Sequence, residues 1–219
     1  MSKRSGNKRK DGRAREIPRS KARWRFVSIK NKRMVHCESP KERDYCIFLE
    51  FDSRVRRYQE QPLAIPYVLN GEDHEYFVDF MVELIGGRKQ LIEVKSASEV
   101  DFEENLCKFA AARAYAEDND MEFSVVTEKD LHKGFALENM HHIYRHGAIR
   151  LDTEMILSIM ETISPFDQTM VETIITALAP ISKCHDPRSI LLWLIWKGKI
   201  AVDVTQKIES TTAVKVRRL

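Results

Sequence analysis

Asp79 and the triplet Glu93-Val94-Lys95 are the residues whose types and spacing could do chemistry. They lie in one stretch, Glu75 to Lys95, EYFVDFMVELIGGRKQLIEVK. Tyr76 to Leu84 is rich in aromatic and β-branched residues and predicts a strand; Gly86-Gly87, then Arg88 and Lys89, supply a turn; Gln90 to Lys95 predicts the return strand. Side chains alternate along a strand, so Glu93 and Lys95 project from one face with Val94 behind them. In the right register Asp79 sits beside them. Two close carboxylates repel by roughly 1 to 4 kcal/mol at 4 Å, depending on the effective dielectric. A divalent cation resolves the conflict, and hard oxygen ligands suit Mg²⁺, with Mn²⁺ as a substitute. Such an ion polarises a phosphoryl oxygen and lowers the pKa of a bound water. Lys95 could orient that water or stabilise charge on the pentavalent phosphate. The chemistry this points to is hydrolysis of a phosphodiester. Short D…ExK matches are common by chance, and a hairpin with two solvated acids and a snorkelling lysine would satisfy the pattern alone. Two features raise this match: the ExK ends an apolar strand, and an acid lies on the strand before it.

The elements that must position these groups belong to a chain of 219 residues, long enough for a proper core. Hydrophobic residues make up 43% and charged residues 32%, ordinary values for a soluble protein. No apolar run approaches the roughly 18 residues of a membrane span, and no signal peptide is visible. The four cysteines, Cys37, Cys46, Cys107 and Cys184, form no CxxC pair and read as reduced thiols of a cytoplasmic protein. Cys184-His185 lacks partners at zinc-ligand spacing. The net charge of +3 conceals an asymmetry: residues 1–33 carry 14 Lys+Arg against 2 Asp+Glu, residues 34–164 carry 14 against 26, and residues 165–219 carry 8 against 5. An acidic middle suits metal binding and basic ends suit a polyanion. Residues 1–33 read as a basic arm, too polar to fold alone, either a solubilising tail or a DNA-binding arm. Trp24 and Phe26 could dock it onto the domain or stack on nucleic acid.

Along the chain, Ser39-Pro40-Lys41-Glu42 predicts a helix start, with Ser39 as N-cap, Pro40 at the first position and Glu42 three residues on, continuing to about Asp52. Glu42 is thereby explained as a capping residue, and could also point a carboxylate toward the hairpin. Val55–Gln61 and Leu63–Leu69 predict strands, and Asn70-Gly71 a tight hairpin turn. Helix over Glu99–Glu117, strand over Met121–Thr127 and helix over Glu138–Arg145 follow. His141, His142 and His146 lack a carboxylate or cysteine to complete a metal site, and a helix end explains them. The order predicts an α/β domain over residues 34–150, a mixed central sheet flanked by helices. From Leu151 the pattern changes to three short apolar helices, Thr153–Thr162, Met170–Leu178 and Pro187–Trp196, and a terminal hairpin over Ile200–Thr205 and Thr212–Val216. That outline, residues 151–219, is of a small helical or winged-helix C-terminal domain, with a helical subdomain packed on the sheet or a protein-docking surface as alternatives.

These elements resemble those of TnsA-like heteromeric transposase endonucleases. The segments that carry the resemblance are SPKERDYCIFLEFDSRV, RRYQEQPLAIPY, FVDF and LIEVK, with FSVVTEKDL and IYRHG after them. The resemblance implies a restriction-endonuclease-like core. It puts the family's helix acid on Glu42, its strand acid on Asp79, the residue before the valine on Glu93 and its lysine on Lys95. Val78 stands where nucleases of this superfamily often carry proline, and Glu93 where the family can place glutamine. The implied function is Mg²⁺-dependent cleavage of double-stranded DNA at the 5′ ends of a transposon. A TnsB-like transposase would cut the 3′ ends, and a TnsC-like AAA+ regulator would couple cleavage to target choice through the C-terminal domain. Gln59 and Gln61 lie on the strand entering the site, for contacts behind the ligands or to the DNA backbone, or simply as part of the turn before Pro62. The alternatives are a stand-alone restriction- or repair-type endonuclease of the same fold, and a non-catalytic DNA- or partner-binding module.

Overall fold

The computed structural model describes residues 24–182 and 185–217. The chain enters as a hairpin, β1 (Trp24–Ser28) against β2 (Arg33–Cys37). Alternation buries Phe26 and Ser28 on β1 and Val35 and Cys37 on β2, against the next helix. The last ten residues of the basic N-terminal segment are thus part of a folded hairpin, and of the two readings for Phe26 the structure shows docking onto the domain, stacked on Tyr144 at 5.0 Å. The remainder of the proposed arm, residues 1–23, lies outside the described residues.

Helix α1 (Pro40–Phe51) starts where the cap pattern predicts: Ser39 Oγ accepts from Glu42 N at 3.1 Å, with Pro40 at its first turn. Its buried Glu50 is satisfied by Ser28 Oγ at 2.5 Å, by Tyr58 Oη at 2.9 Å and by the amides of Ile29 and Lys30. That carboxylate ties the N-terminal hairpin to the helix.

The strands that follow are β3 (Val55–Glu60), β4 (Ala64–Leu69), β5 (Glu72–Phe77), β6 (Phe80–Leu84) and β7 (Lys89–Val94). The single strand expected over Tyr76–Leu84 is therefore two. β5 pairs with β4 through the Asn70-Gly71 turn in a two-stranded sheet of its own, and β6 belongs to the central sheet. The chain changes sheets at Val78-Asp79. Next come α2 (Glu103–Asp118), β8 (Met121–Val126), α3 (Glu128–Leu131) and α4 (Ala136–Gly147). α2 begins later than its apolar pattern suggested, after a single 3₁₀ turn at Ala97–Glu99.

The central sheet runs β3-β6-β7-β8, antiparallel except for the parallel β7–β8 pair that α2 connects. One face (Phe80, Val82, Ile92 and Val94) packs with α1 and the N-terminal hairpin. The other face (Met81 and Leu91) packs with α2 and the β4–β5 hairpin.

The C-terminal part holds α5 (Thr153–Ile163), β9 (Gln168–Met170), α6 (Val171–Leu178), α7 (Pro187–Trp196), β10 (Ile200–Val202) and β11 (Ala213–Val216). The short strand β9 is additional to the expected terminal hairpin and joins it in a sheet ordered β10-β11-β9. α4 serves both cores. Its Ile143 enters the C-terminal core, and its Met140 and Tyr144 pack on the core around α1. Trp196 of α7 meets Phe51 edge-on at 5.3 Å and Tyr144 at 5.7 Å. Asn139 Nδ2 donates to the carbonyls of Val204 (2.8 Å) and Gln206 (2.6 Å). The whole is a mixed α/β structure with a mixed central sheet flanked by helices. Among the described residues no helix is long and apolar enough to cross a membrane.

Candidate active site

The antiparallel ladder decides whether the strand acids meet. Phe80 pairs with Ile92 and Met81 with Leu91, so one step further Asp79 stands opposite Glu93. Opposed residues of an antiparallel pair share a face. Asp79 Oδ2 accepts a hydrogen bond from the Val94 amide at 2.7 Å, which fixes the carboxylate against the end of β7. Lys95 Nζ lies 3.1 Å from Glu93 Oε1. Asp79, Glu93 and Lys95 therefore lie together where β6 begins and β7 ends.

Glu42 comes from the first turn of α1. Its Oε2 accepts from the Glu38 amide at 2.7 Å, so it closes the helix start one residue further out than a capping box on Ser39 would. It is also within electrostatic reach of the strand acids. Burial raises the pKa of Asp79 well above the usual aspartate value, and the charges of Glu93 and Glu42 add to the rise. Burial also raises Glu42, with the charges of Glu38 and Glu93 adding to it, against the hydrogen bonds from the Glu38 amide and Ser39. Glu93 is raised by burial in spite of Lys95. For Lys95 burial favours the neutral amine, but the charge and hydrogen bond of Glu93, and then the charge of Asp79, leave the pKa raised and the ammonium charged.

Glu93 Oε2 is buried and has no hydrogen-bond partner. A buried carboxylate oxygen left unpaired beside two further acids suits a hard cation. Among the described residues no three His, Cys, Asp or Glu side chains close into a ready-made metal cage. Mg²⁺ asks for less than that, one or two carboxylates with water and phosphate oxygens completing its octahedron. The donor set of Asp79 and Glu93, with Glu42 behind them, fits that demand.

Three contacts around the group have no signature in the sequence pattern. Lys41 Nζ donates to Ser96 Oγ at 2.9 Å, bridging the residue before Glu42 to the residue after Lys95. Both Glu128 oxygens accept from the Ala97 amide, at 3.0 and 3.2 Å, and hold the same loop. Lys108 pairs with Glu104 and adds a positive charge felt by Glu93. Of the two glutamines, Gln59 is exposed on β3, whereas Gln61 donates its amide to the Asp79 carbonyl at 2.8 Å.

The other candidates stay apart from this group. His141 lies 3.5 Å from Asp44, His142 accepts from Arg145, and His146 donates to the His142 carbonyl. Cys37, Cys46 and Cys107 are free thiols, the first two buried with sulfurs 3.7 Å apart. Cys184 of the Cys184-His185 pair lies outside the described residues.

Residues 52–128 match the family of the TnsA-like endonuclease N-terminal domain, so this stretch, from the end of α1 to the start of α3, carries that domain. It contains Asp79, Glu93 and Lys95; Glu42 precedes it, and its charge acts on the two strand acids. No curated protein matches the chain.

Proposed function

We propose, from the TnsA-like endonuclease domain that residues 52–128 carry, that this chain is the DNA-cleaving subunit of a heteromeric, TnsA/TnsB-type transposase. It hydrolyses phosphodiesters of double-stranded DNA at the 5′ ends of a transposon, with Mg²⁺ as cofactor and Mn²⁺ as its substitute. The observation that carries this reading is the meeting of Asp79, Glu93 and Lys95 at one end of the sheet, with Glu42 coupled to them by charge. Asp79 and Glu93 would hold the cation, and Glu42 would complete or bridge its shell. When bound, the ion supplies polarisation of the phosphoryl oxygen and a water acidic enough to attack. The chain's own groups do the rest. The Val94 amide keeps Asp79 in one rotamer. Glu93 holds the Lys95 ammonium at the mouth of the acidic group, where it orients the attacking water and offsets charge on the phosphate. Burial excludes competing solvent and strengthens each of these interactions.

The central sheet with α1 and α2 on its two faces supports a restriction-endonuclease-like core. We read the C-terminal part as a winged-helix module, because three helices and a sheet with its last strand in the middle follow that order. Its α7 buries Ile190 through Ile195, which leaves little beyond its first turn, Pro187 to Ser189, open to solvent. A role in docking protein partners, a TnsB-like transposase and a TnsC-like AAA+ regulator, fits better than base readout. The setting is the cytoplasm, where the DNA substrate lies.

The deciding experiment combines the purified chain, its cognate TnsB-type transposase, Mg²⁺ and DNA carrying the transposon ends, and maps the cut strand. Cleavage at the 5′ ends is expected, and Asp79→Ala should abolish it while the circular dichroism melt stays cooperative. A folded Asp79→Ala protein that still cuts would remove the site. Cleavage of a defined sequence by the chain alone would instead favour a stand-alone endonuclease.

A further inference from the structure

The ladder brings a further polar residue into line with the two strand acids. Glu60 on β3 pairs with Phe80 on β6, so the next step sets Gln61 opposite Asp79, and the bond from Gln61 N to the Asp79 carbonyl at 2.8 Å closes that step. Gln61, Asp79 and Glu93 thus form one row across three strands, about 5 Å apart at each step.

Two features of Gln61 are costly for a residue that only makes a turn. Its backbone is left-handed, with φ of +42°. Glycine or asparagine would hold that conformation with less strain. Its side-chain Oε1 is also buried without a partner. The other non-glycine residues with positive φ, Lys32, Asn70 and Asp120, sit in hairpin turns or directly after α2. Two more buried atoms without partners lie around the same row. One is Glu93 Oε2; the other is the hydroxyl of Tyr76, a side chain that feels the charges of Glu93 and Asp79. Buried polar atoms find partners as a rule, so unpaired ones on three residues of this neighbourhood call for a polar partner that binds there. Strained backbone beside such a group is characteristic of functional positions.

We infer that Gln61 is a positioning residue of the metal centre, its carboxamide oxygen accepting a hydrogen bond from a water in the shell of the cation held by Asp79 and Glu93. This rests on the metal-dependent reading above. The left-handed turn and the bond to the Asp79 carbonyl aim the side chain; the carboxamide then supplies the acceptor.

The test measures Mn²⁺ binding to the full chain without DNA, by electron paramagnetic resonance of the free ion, alongside the metal-free thermal melt. Gln61→Gly removes the side chain and relieves the backbone. It should melt no lower than the parent protein yet bind Mn²⁺ roughly tenfold more weakly, the usual loss when an outer-shell partner is removed. Gln61→Glu keeps an oxygen in place and should bind at least as tightly as the parent. Should Gln61→Gly not fold, Gln61→Leu, near in size but without the oxygen, must show the same loss. Asp79→Asn is the control for the centre. Lost binding in Asp79→Asn with unchanged binding in Gln61→Gly or Gln61→Leu would overturn the inference and leave the metal centre standing. No Mn²⁺ binding by the parent chain would overturn both.

Discussion

At the scale of single residues, the acidic group is a source of instability. Asp79 is partly buried, and its carboxyl is pushed well above the ordinary 3.8 by burial and by the charges of Glu93 and Glu42. In the window between 3.8 and that raised value the folded chain holds a proton that the unfolded chain has released. Stability therefore falls as pH rises through the window, and the favourable contribution is complete only below it. Glu60 and Asp52, held below their ordinary values with Arg33 and Arg54 as partners, act in the opposite sense at acid pH, so the difference between variants is the quantity to read. Asp79→Asn keeps an oxygen for the Val94 amide and removes the charge. It should stabilise the metal-free chain by on the order of 1 kcal/mol at about pH 8, and by less as pH falls toward about 5. Urea titrations of both proteins at the two pH values would measure this. An advantage that grew on acidification would mean that Asp79 is ionised at ease in the folded state.

The elements show what could be read from local sequence and what could not. α1 was legible because Ser39, Pro40 and Glu42 announce its start, and the β4–β5 and β6–β7 hairpins because Asn70-Gly71 and Gly86-Gly87 supply positive φ at their turns. The register that sets Asp79 against Glu93 follows from the second of those turns. The break at Val78-Asp79 was not legible, since the apolar run FVDFMV continues through it. What ends β5 there is long-range: the Asp79 carboxylate takes the amide of Val94, and its carbonyl takes the amide of Gln61. β9 escaped for a similar reason, being three residues that pair only with the distant β11. The Lys41–Ser96 bridge belongs to the same class, a contact between the first turn of α1 and the loop after β7. It ties the residue before Glu42 to the residue after Lys95. Lys41→Met should cost about 1 kcal/mol of stability or less, as an ordinary partly exposed hydrogen bond does. The nicking rate should fall tenfold or more, since small misplacements at a reacting centre are expensive. A rate loss no larger than the stability loss implies would leave the bridge a purely structural contact.

For the whole molecule the question is where DNA can be held, since the body of the fold offers little. The middle of the chain carries 14 basic against 26 acidic residues. Exposed arginines on and beside β3 are paired: Arg54 with Asp52, Arg56 and Arg57 with Glu83. α7 is committed to the seam with α1 and α4, where Trp196 meets Phe51 and Tyr144 and where a side chain at Gly147 would strike the Trp196 ring within 2.7 Å. The N-terminal segment is the most basic stretch of the chain, with 14 Lys and Arg against 2 Asp and Glu over residues 1–33. Its composition is basic throughout, and the arginines around Phe26 mask the alternation that makes its last part a hairpin. The chain enters the fold at Trp24, and the Arg43 guanidinium lies over the Trp24 ring at 4.7 Å. Arg43 follows Glu42, so the basic segment joins the body beside the candidate active site. On the proposed function, a polyanion attracted by residues 1–22 would be drawn toward the candidate active site. Those residues hold nine Lys and Arg against two acids. Removing them, while keeping Trp24 and the hairpin, should weaken binding to duplex DNA most at low salt. For every phosphate that is no longer neutralised, the slope of log affinity against log salt should fall by about 0.9. The measurement is fluorescence anisotropy with labelled duplex between about 50 and 200 mM salt, in Ca²⁺ to hold back cleavage, across the range where such pairing changes affinity most. A truncated chain with the same slope and the same affinity would make the segment a solubilising tail and return the search for the DNA surface to the folded body.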